Sequence, residues 1–323
     1  MIKILIVKTS SMGDIIHNLP IVKDILAAHP DAQIDWVVEE GFADLVKMHP
    51  DIHEVIPVAW RRWRKTLTSL ETWRQMRDFR YRLKRQHYDY VLDTQGLVKS
   101  GIIAKMADAT LKCGYDKSAI REPFAARFYN NHFTIPKNAH AIERNRWLAS
   151  AALGYYPDEH KLDYGIDADA PDVDSDQPYI VFLQATSRKE KQWPSDSWVD
   201  LGNRLNQMGY FIVFPWGTDT EYQDAETIAN QLSDALVLPK LRLNELAGWI
   251  KHADMTIGVD TGLLHLSAAF NRPTVGIYTT TSPELTGVYQ TRLSANVGSA
   301  SKTPTVDDVF ETAKRIITRY QRQ

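Results

Sequence analysis

The apolar positions fall into short runs that alternate with stretches of helical period. Residues 2–7 form a continuous β-rich run. A polar turn, Thr9-Ser10-Ser11-Met12-Gly13-Asp14, separates it from residues 15–28, whose apolar spacing suits a helix. Further strands are predicted at 34–38, 55–58, 88–92 and 112–115, with helices over 42–48, 66–85 and 97–107. Pro57 demotes the 55–58 run to an edge strand or a short extended piece. Alternation of this kind predicts βαβ units around a parallel sheet.

The pattern dissolves between Pro157 and Asp176. Asp158, Glu159, Asp163, Asp167, Asp169, Asp172, Asp174 and Asp176 face only Lys161, and Pro171 and Pro178 punctuate the end. This reads as a solvated inter-domain linker. A second alternating series follows. Strands are predicted at 179–183, 210–214, 235–238, 255–259 and 273–278, and helices over 195–208, 221–232, 243–252, 261–270 and 305–322. The halves repeat in architecture, not in sequence. The expected domains are 1–165 and 166–304, followed by a last helix within 305–323. Two such αβα domains place a cleft at the carboxyl ends of both sheets, where these folds bind ligands.

Composition narrows the class. The chain has 323 residues, 44% hydrophobic and 24% charged, as expected of globular domains. Its single cysteine, Cys113, excludes an intrachain disulfide and a cysteine-based zinc site. No apolar run approaches the roughly 18–20 residues that span a bilayer, and the N-terminus lacks the long apolar stretch of a secretory signal. A soluble cytoplasmic protein is expected. The net charge of −2 hides segregation: residues 61–85 hold ten basic residues against Glu71 and Asp78, a local +8, and the remainder carries −10. Patches, not averages, locate partners.

Four motifs could carry chemistry. In the turn after the first strand, Gly13 allows tight backbone, and Asp14 is either a helix cap or first-turn acid, or a catalytic carboxylate. The loop matches neither a Walker A nor a Gly-x-Gly-x-x-Gly pattern. In Gly258-Val259-Asp260-Thr261-Gly262-Leu263-Leu264-His265, a strand runs into a helix whose first N–H groups suit an anion, with His265 one turn on. Alternatively Asp260 caps that helix and His265 is a buried helix residue. In Ala185-Thr186-Ser187-Arg188-Lys189-Glu190-Lys191-Gln192-Trp193-Pro194, hydroxyls and cations suit a diphosphate, with a solvated loop as the alternative. Two anion-suited loops at strand ends of one domain together suggest a nucleoside-diphosphate ligand.

The fourth motif is Trp60-Arg61-Arg62-Trp63-Arg64-Lys65. A solvated helix face accounts for the charges at 74–85, but here they precede the helix and interleave with tryptophan. That mixture suits an amphiphilic anion, or single-stranded nucleic acid by stacking. The pI of about 6.6 argues against nucleic acid.

These blocks resemble the lipopolysaccharide heptosyltransferases, glycosyltransferase family 9. The likeness is carried by residues 8–14, Trp36-Val37-Val38-Glu39-Glu40-Gly41-Phe42, residues 57–65, Asp93-Thr94-Gln95-Gly96-Leu97-Val98-Lys99-Ser100 and Arg121-Glu122-Pro123. Lys191-Gln192-Trp193-Pro194, Pro215-Trp216-Gly217 and residues 259–266 carry it further. It runs in one register from residue 1 to about residue 290. The opening loop and the Lys-x-Trp-Pro context resemble members that add the first heptose more than those that add the second.

The resemblance implies a GT-B fold, two Rossmann-like αβα domains facing a central cleft, with the helix of 305–323 packing back on the first domain. It implies inverting transfer of L-glycero-D-manno-heptose from ADP-heptose to the first Kdo of Kdo2-lipid A. No cofactor or bound metal is implied, since ADP-heptose is a substrate. The enzyme would sit peripherally on the cytoplasmic face of the inner membrane. By the same likeness Asp14 is the general base. Donor contacts fall on Thr186, Ser187, Lys191, Glu221, Leu241, Asp260, Thr261, Gly262 and His265. Acceptor contacts fall on Ser11, Arg61, Arg62, Arg64, Lys65, Arg121 and Arg144. Ser187 stands where the family more often has Thr, Leu241 where Met is familiar, and Gln184 where His is expected. The alternatives are a second-heptose transferase, a GT-B nucleotide-sugar epimerase and a non-enzymatic anion-binding module.

Overall fold

The aliphatic run after Met1 becomes β1 (Lys3–Val7), buried at every residue beyond Lys3. The computed structural model describes residues 1–171, 177–186, 188–289 and 291–321, with backbone only at Lys189. The chain divides into two units, Met1–Asp167 and Ala168–Gln323.

In the first unit, β1 is joined by β2 (Gln33–Glu39), β3 (Glu54–Val58), β4 (Tyr88–Asp93), β5 (Ala109–Tyr115) and β6 (Asn131–Phe133). The sheet is parallel throughout, in the order β3-β2-β1-β4-β5-β6. Pro57 sits on the edge strand β3, as its missing N–H demands. The helices are α1 (Met12–Ile16), α2 (Pro20–Ala28), α3 (Ala43–Lys47), α4 (Trp60–Trp63), α5 (Leu70–Leu83), α6 (Val98–Met106) and α7 (Ala141–Leu153). The helix predicted over 15–28 is broken, because Pro20 opens α2 and has no N–H to continue α1. The helix predicted over 66–85 starts only at Leu70, after an extended Ser69.

The second unit repeats the plan with β7 (Tyr179–Leu183), β8 (Phe211–Phe214), β9 (Ala235–Val237), β10 (Met255–Val259), β11 (Thr274–Tyr278) and β12 (Ser294–Gly298). Read from β9, its parallel order β9-β8-β7-β10-β11-β12 is that of the first sheet. The helices are α8 (Ser195–Gln207), α9 (Asp219–Ala229), α10 (Leu243–His252), α11 (Gly262–Ala269), α12 (Pro283–Thr286) and α13 (Val306–Tyr320). Continuous apolar strands are possible because helices cover both faces of such sheets.

Two expectations about the domains need correction. The last helix is built into the second unit. Its stripe Val309, Ala313, Ile316 and Ile317 is buried in the second unit's core with Phe182, Trp198, Leu201 and Leu205. Arg204 on α8 also pairs with Asp307 at 2.6 Å. Nor is the acidic stretch uniformly solvated. Arg146 grips both oxygens of Asp24 (2.7 and 2.9 Å) and the carbonyls of Asp158 and Lys161, which fastens this segment to the first unit. The unit boundary falls at Asp167, two residues beyond the expected 165. Asp172, Asp174 and Asp176 lie outside the described residues.

Candidate active site

In each sheet the strand order reverses between its first and fourth strands: β1 and β4 in one unit, β7 and β10 in the other. Loops leaving a parallel sheet at that point are where αβα folds bind ligands. The motifs of residues 8–14, 93–100, 184–194 and 258–265 fall on these four loops.

Asp14 is the third residue of α1, and Ser11 is its N-cap. Asp14 Oδ2 accepts from the Ser11 backbone N–H (2.8 Å) and from Ser11 Oγ (2.7 Å). The capping reading is therefore half right: the carboxylate reaches back to the cap residue. No donor among the described residues reaches Oδ1, which is left to accept a proton. Partial burial alone would push this carboxyl up. The Lys8 ammonium and the two Ser11 donors outweigh that and hold it below its ordinary value, with Arg121 adding to the effect. Lys8 is buried, and its Nζ donates to the Thr94 carbonyl at 2.9 Å. Burial lowers its pKa, while Asp14 and Asp93 oppose that.

The β4 loop braces the β1 loop. Gln95 Oε1 accepts from Thr9 N and Thr9 Oγ1, both at 2.7 Å, and Gln95 Nε2 donates to the Ser10 carbonyl at 3.0 Å. Lys99 Nζ donates to Ser10 Oγ at 2.8 Å. Gly96 turns the loop at φ +68°, a conformation that glycine tolerates best. Burial lowers the Lys99 pKa. Glu39 opposes that, Arg61 and Arg64 reinforce it, and Asp14 opposes it. Lys99 thus stands in one electrostatic field with the Asp14 loop and the basic segment. Lys8, Gln95 and Lys99 were in the motifs, but residue type alone gave them no role.

The four cations of the basic segment are not equivalent. Arg61 stacks over the Phe42 ring at 5.3 Å, and its backbone N–H donates to Glu39 (2.9 Å). Arg64 and Lys65 are exposed. Arg62 is instead held by Glu40 through two bonds (3.0 and 2.9 Å) and by Gln75 (2.6 Å). The tryptophans also depart from expectation. Trp63 is buried against Phe79, with its indole N–H on Gln75, and Trp60 is half-buried against Trp63. Both anchor the segment to the core, and Trp63 is closed to a ligand. Arg121 is exposed after β5. Arg144 on α7 donates to the Ala119 carbonyl (2.8 Å) and stacks on Tyr115 at 5.0 Å, so it holds the loop carrying Arg121.

In the second unit, Lys191 Nζ lies 2.5 Å from Asp260 Oδ2. Thr281 Oγ1 donates to the same oxygen at 3.1 Å, and His265 Nε2 stands 3.9 Å from Oδ1. Burial alone would raise the Asp260 pKa. The nearby His265 imidazole and the Lys191 ammonium reverse that and hold it well below its ordinary value. Asp260 is not the helix cap: Thr261 is the N-cap of α11, and Gly262 opens the helix. Thr261 makes no side-chain cap bond, and its buried Oγ1 has no partner among the described residues. The first N–H groups of α11 thus remain available to an anion. Glu221 is the third residue of α9 and accepts from Gly217 N (2.8 Å) and Thr218 N (3.0 Å). Thr186 is half-exposed beyond β7, and Leu241 is half-exposed before α10. Ser187 lies outside the described residues. Gln184 is buried and donates to the Glu221 carbonyl at 3.5 Å, with its Oε1 unpartnered among the described residues.

Two Rossmann-like units, one carrying an open carboxylate and the other a cation and helix terminus suited to diphosphate, define a nucleotide-sugar-dependent transferase of the GT-B class. Residues 76–314 match the model of glycosyltransferase family 9 (heptosyltransferase). The chain is 42% identical over 298 residues to lipopolysaccharide heptosyltransferase 1 of Pseudomonas aeruginosa, covering 92% of this chain and 84% of that one. Its structure superposes on the E. coli heptosyltransferase WaaC with ADP at a TM-score of 0.90 and 38% identity, covering 98% of this chain and 100% of that one. WaaC with ADP-2-deoxy-2-fluoro heptose gives 0.85 and 37%, covering 99% of each chain. The chain belongs to glycosyltransferase family 9, and it is a glycosyltransferase of the heptosyltransferase kind. That sets aside the epimerase and the non-enzymatic module. Among the described residues, no helix is long and apolar enough to cross a membrane.

Proposed function

We propose that this enzyme transfers L-glycero-D-manno-heptose from ADP-heptose to the first Kdo of Kdo2-lipid A, with inversion, at the cytoplasmic face of the inner membrane. The observation that carries the reading is Asp14: ionised, fixed through Oδ2 by Ser11, and free at Oδ1. A carboxylate so placed takes the proton of the attacking Kdo hydroxyl as the new C–O bond forms. ADP departs from the opposite face of the heptose. Inversion needs no covalent intermediate, so one carboxylate suffices.

Lys191 and the N-terminus of α11 offer positive charge to the diphosphate in place of a metal. Thr186, Ser187, Glu221 and Leu241 take the remainder of the donor. Asp260, whose charge would repel phosphate, suits the heptose hydroxyls instead, with His265 beside it. Arg61, Arg64, Lys65 and Arg121 take the carboxylates and phosphates of the acceptor, with Lys99 beside them. Arg62 and Arg144 hold the segments that carry these cations. Mass spectrometry of products from ADP-heptose and Kdo2-lipid A, beside lipid A lacking Kdo, tests the proposal. One added heptose is expected only on the Kdo-bearing lipid. Equal addition to both, or addition to neither, overturns it.

A further inference from the structure

Helix α5 carries a face that the transfer reaction does not use. Its inner side is ordinary: Thr72, Phe79 and Leu83 are buried, and Met76 packs on the same core. Its outer side is not an ordinary solvated face. Leu70, Trp73, Arg74, Arg77 and Tyr81 follow one another at helical spacing, so they share one stripe. Leu70 is 88% exposed, Trp73 57% and Tyr81 73%. Leu67 extends the apolar end, and Trp73 Nε1 is held on its carbonyl at 2.8 Å. Large apolar side chains grouped on a surface mark an interaction site.

The charge around them selects the partner. Arg77 is offset by Asp78, at 3.4 Å, and Arg82 by Glu54. Arg74, Arg80 and Lys84 have no acidic partner among the described residues. A protein partner would leave these cations to be matched one by one. An anionic bilayer matches them collectively, while Leu, Trp and Tyr enter the headgroup boundary and arginine stems lie along it. We infer that the outer face of α5, with Leu67, Leu70 and Trp73 at its tip, docks the enzyme on a bilayer rich in anionic phospholipid. This inference rests on the proposed lipid acceptor, because a bilayer is where such an acceptor is met.

The test is co-sedimentation of the full chain with vesicles of phosphatidylethanolamine and phosphatidylglycerol, beside vesicles of phosphatidylcholine alone. Wild type is expected to pellet with the first and not the second. Leu70→Glu/Trp73→Glu, and separately Arg74→Gln/Arg77→Gln/Arg80→Gln, should each weaken anionic-vesicle binding by about tenfold or more. Turnover on a fully deacylated, water-soluble Kdo acceptor should stay at the wild-type level in both variants. Wild type that ignores anionic vesicles, or variants that bind them unchanged, overturn the inference. So do variants that lose the soluble reaction in step with vesicle binding, since these positions would then serve the fold or the site. Failure of wild type on the soluble acceptor would instead strike the proposed function and leave vesicle binding standing.

Discussion

Lys191 and Asp260 form an ion pair of 2.5 Å across the loops that leave β7 and β10. Each group therefore has a partner before any ligand arrives. The pairing neutralises a carboxylate beside the helix end of α11, where bare negative charge would repel a diphosphate. It also means that diphosphate must compete with Asp260 for the ammonium.

The first prediction follows from that competition. Lys191→Ala removes the cation and also leaves Asp260 unpaired, so ADP affinity should fall by about 10- to 100-fold, the range of a charge-assisted hydrogen bond. Asp260→Ala should leave ADP affinity unchanged or raise it, because the competitor for the ammonium is gone. The double variant should bind ADP better than Lys191→Ala alone, because the repulsion is gone. Calorimetric titration of ADP into the four proteins measures the coupling. Strict additivity would show that the pair is not the control on diphosphate.

Asp14 yields the second. Asp14→Asn keeps the shape and one acceptor oxygen but cannot take a proton. Turnover should fall by about 10²–10⁴-fold, with ADP affinity unchanged. Because Lys8 and Ser11 depress the carboxyl, the acid limb of kcat/KM should lie below the ordinary aspartate value of about 3.9. Ser11→Ala removes one of the two Ser11 donors, the hydroxyl, and should move that limb upward. A limb that stays in place in Ser11→Ala would remove Ser11 from the control of Asp14.

The basic segment gives the third, and it divides residues that look alike in sequence. Arg61→Ala/Arg64→Ala should raise the acceptor KM by about tenfold or more, leaving the donor KM alone. Arg62 is occupied by Glu40 and Gln75. Its replacement by Ala should barely move the acceptor KM and should cost less than about 1 kcal/mol of stability, as exposed pairs do. An acceptor KM that rises equally in both variants would contradict the division.

That division marks what pattern could and could not read. The parallel αβα plan followed from alternation, and three of the four loops followed from motifs at strand ends, because period and punctuation are local. What the chain does with each cation is not local. Arg62 is taken by an acid 22 residues earlier, and Trp63 by a core assembled from α5. The helix at Ala141 gives no start signal in the sequence because its cap is His140, whose ring accepts from Ile142 N, where Ser, Thr, Asp or Asn would announce a start. The amphipathic stripe of α13 says that it must be covered, not by what; Val309, Ala313 and Ile316 meet the second unit's core.

The fourth prediction concerns His49 and Gly165. The chain crosses the His49 ring at Gly165, whose φ of +66° and missing Cβ permit the approach, since a Cβ would lie 2.2 Å from Nε2. The ring is buried, and its Nδ1 accepts from Asp51 N at 3.2 Å, which suits the neutral form. Burial, only partly opposed by Asp51, pulls its pKa from 6.5 down to about 4, and Lys23 adds to the fall. The folded value is below the unfolded one, so between them the unfolded chain binds the extra proton. Stability from a neutral His49 is thus fully present above about pH 6.5 and is lost as pH falls toward about 4, by at most about 3 kcal/mol. Urea midpoints measured between those limits should fall steeply in wild type and more gently in His49→Gln, whatever the variant's absolute stability. Gly165→Ala should lower the unfolding free energy at every pH by more than about 1 kcal/mol, since it adds backbone strain to the clash. Equal slopes in wild type and His49→Gln would assign the acid sensitivity to other groups.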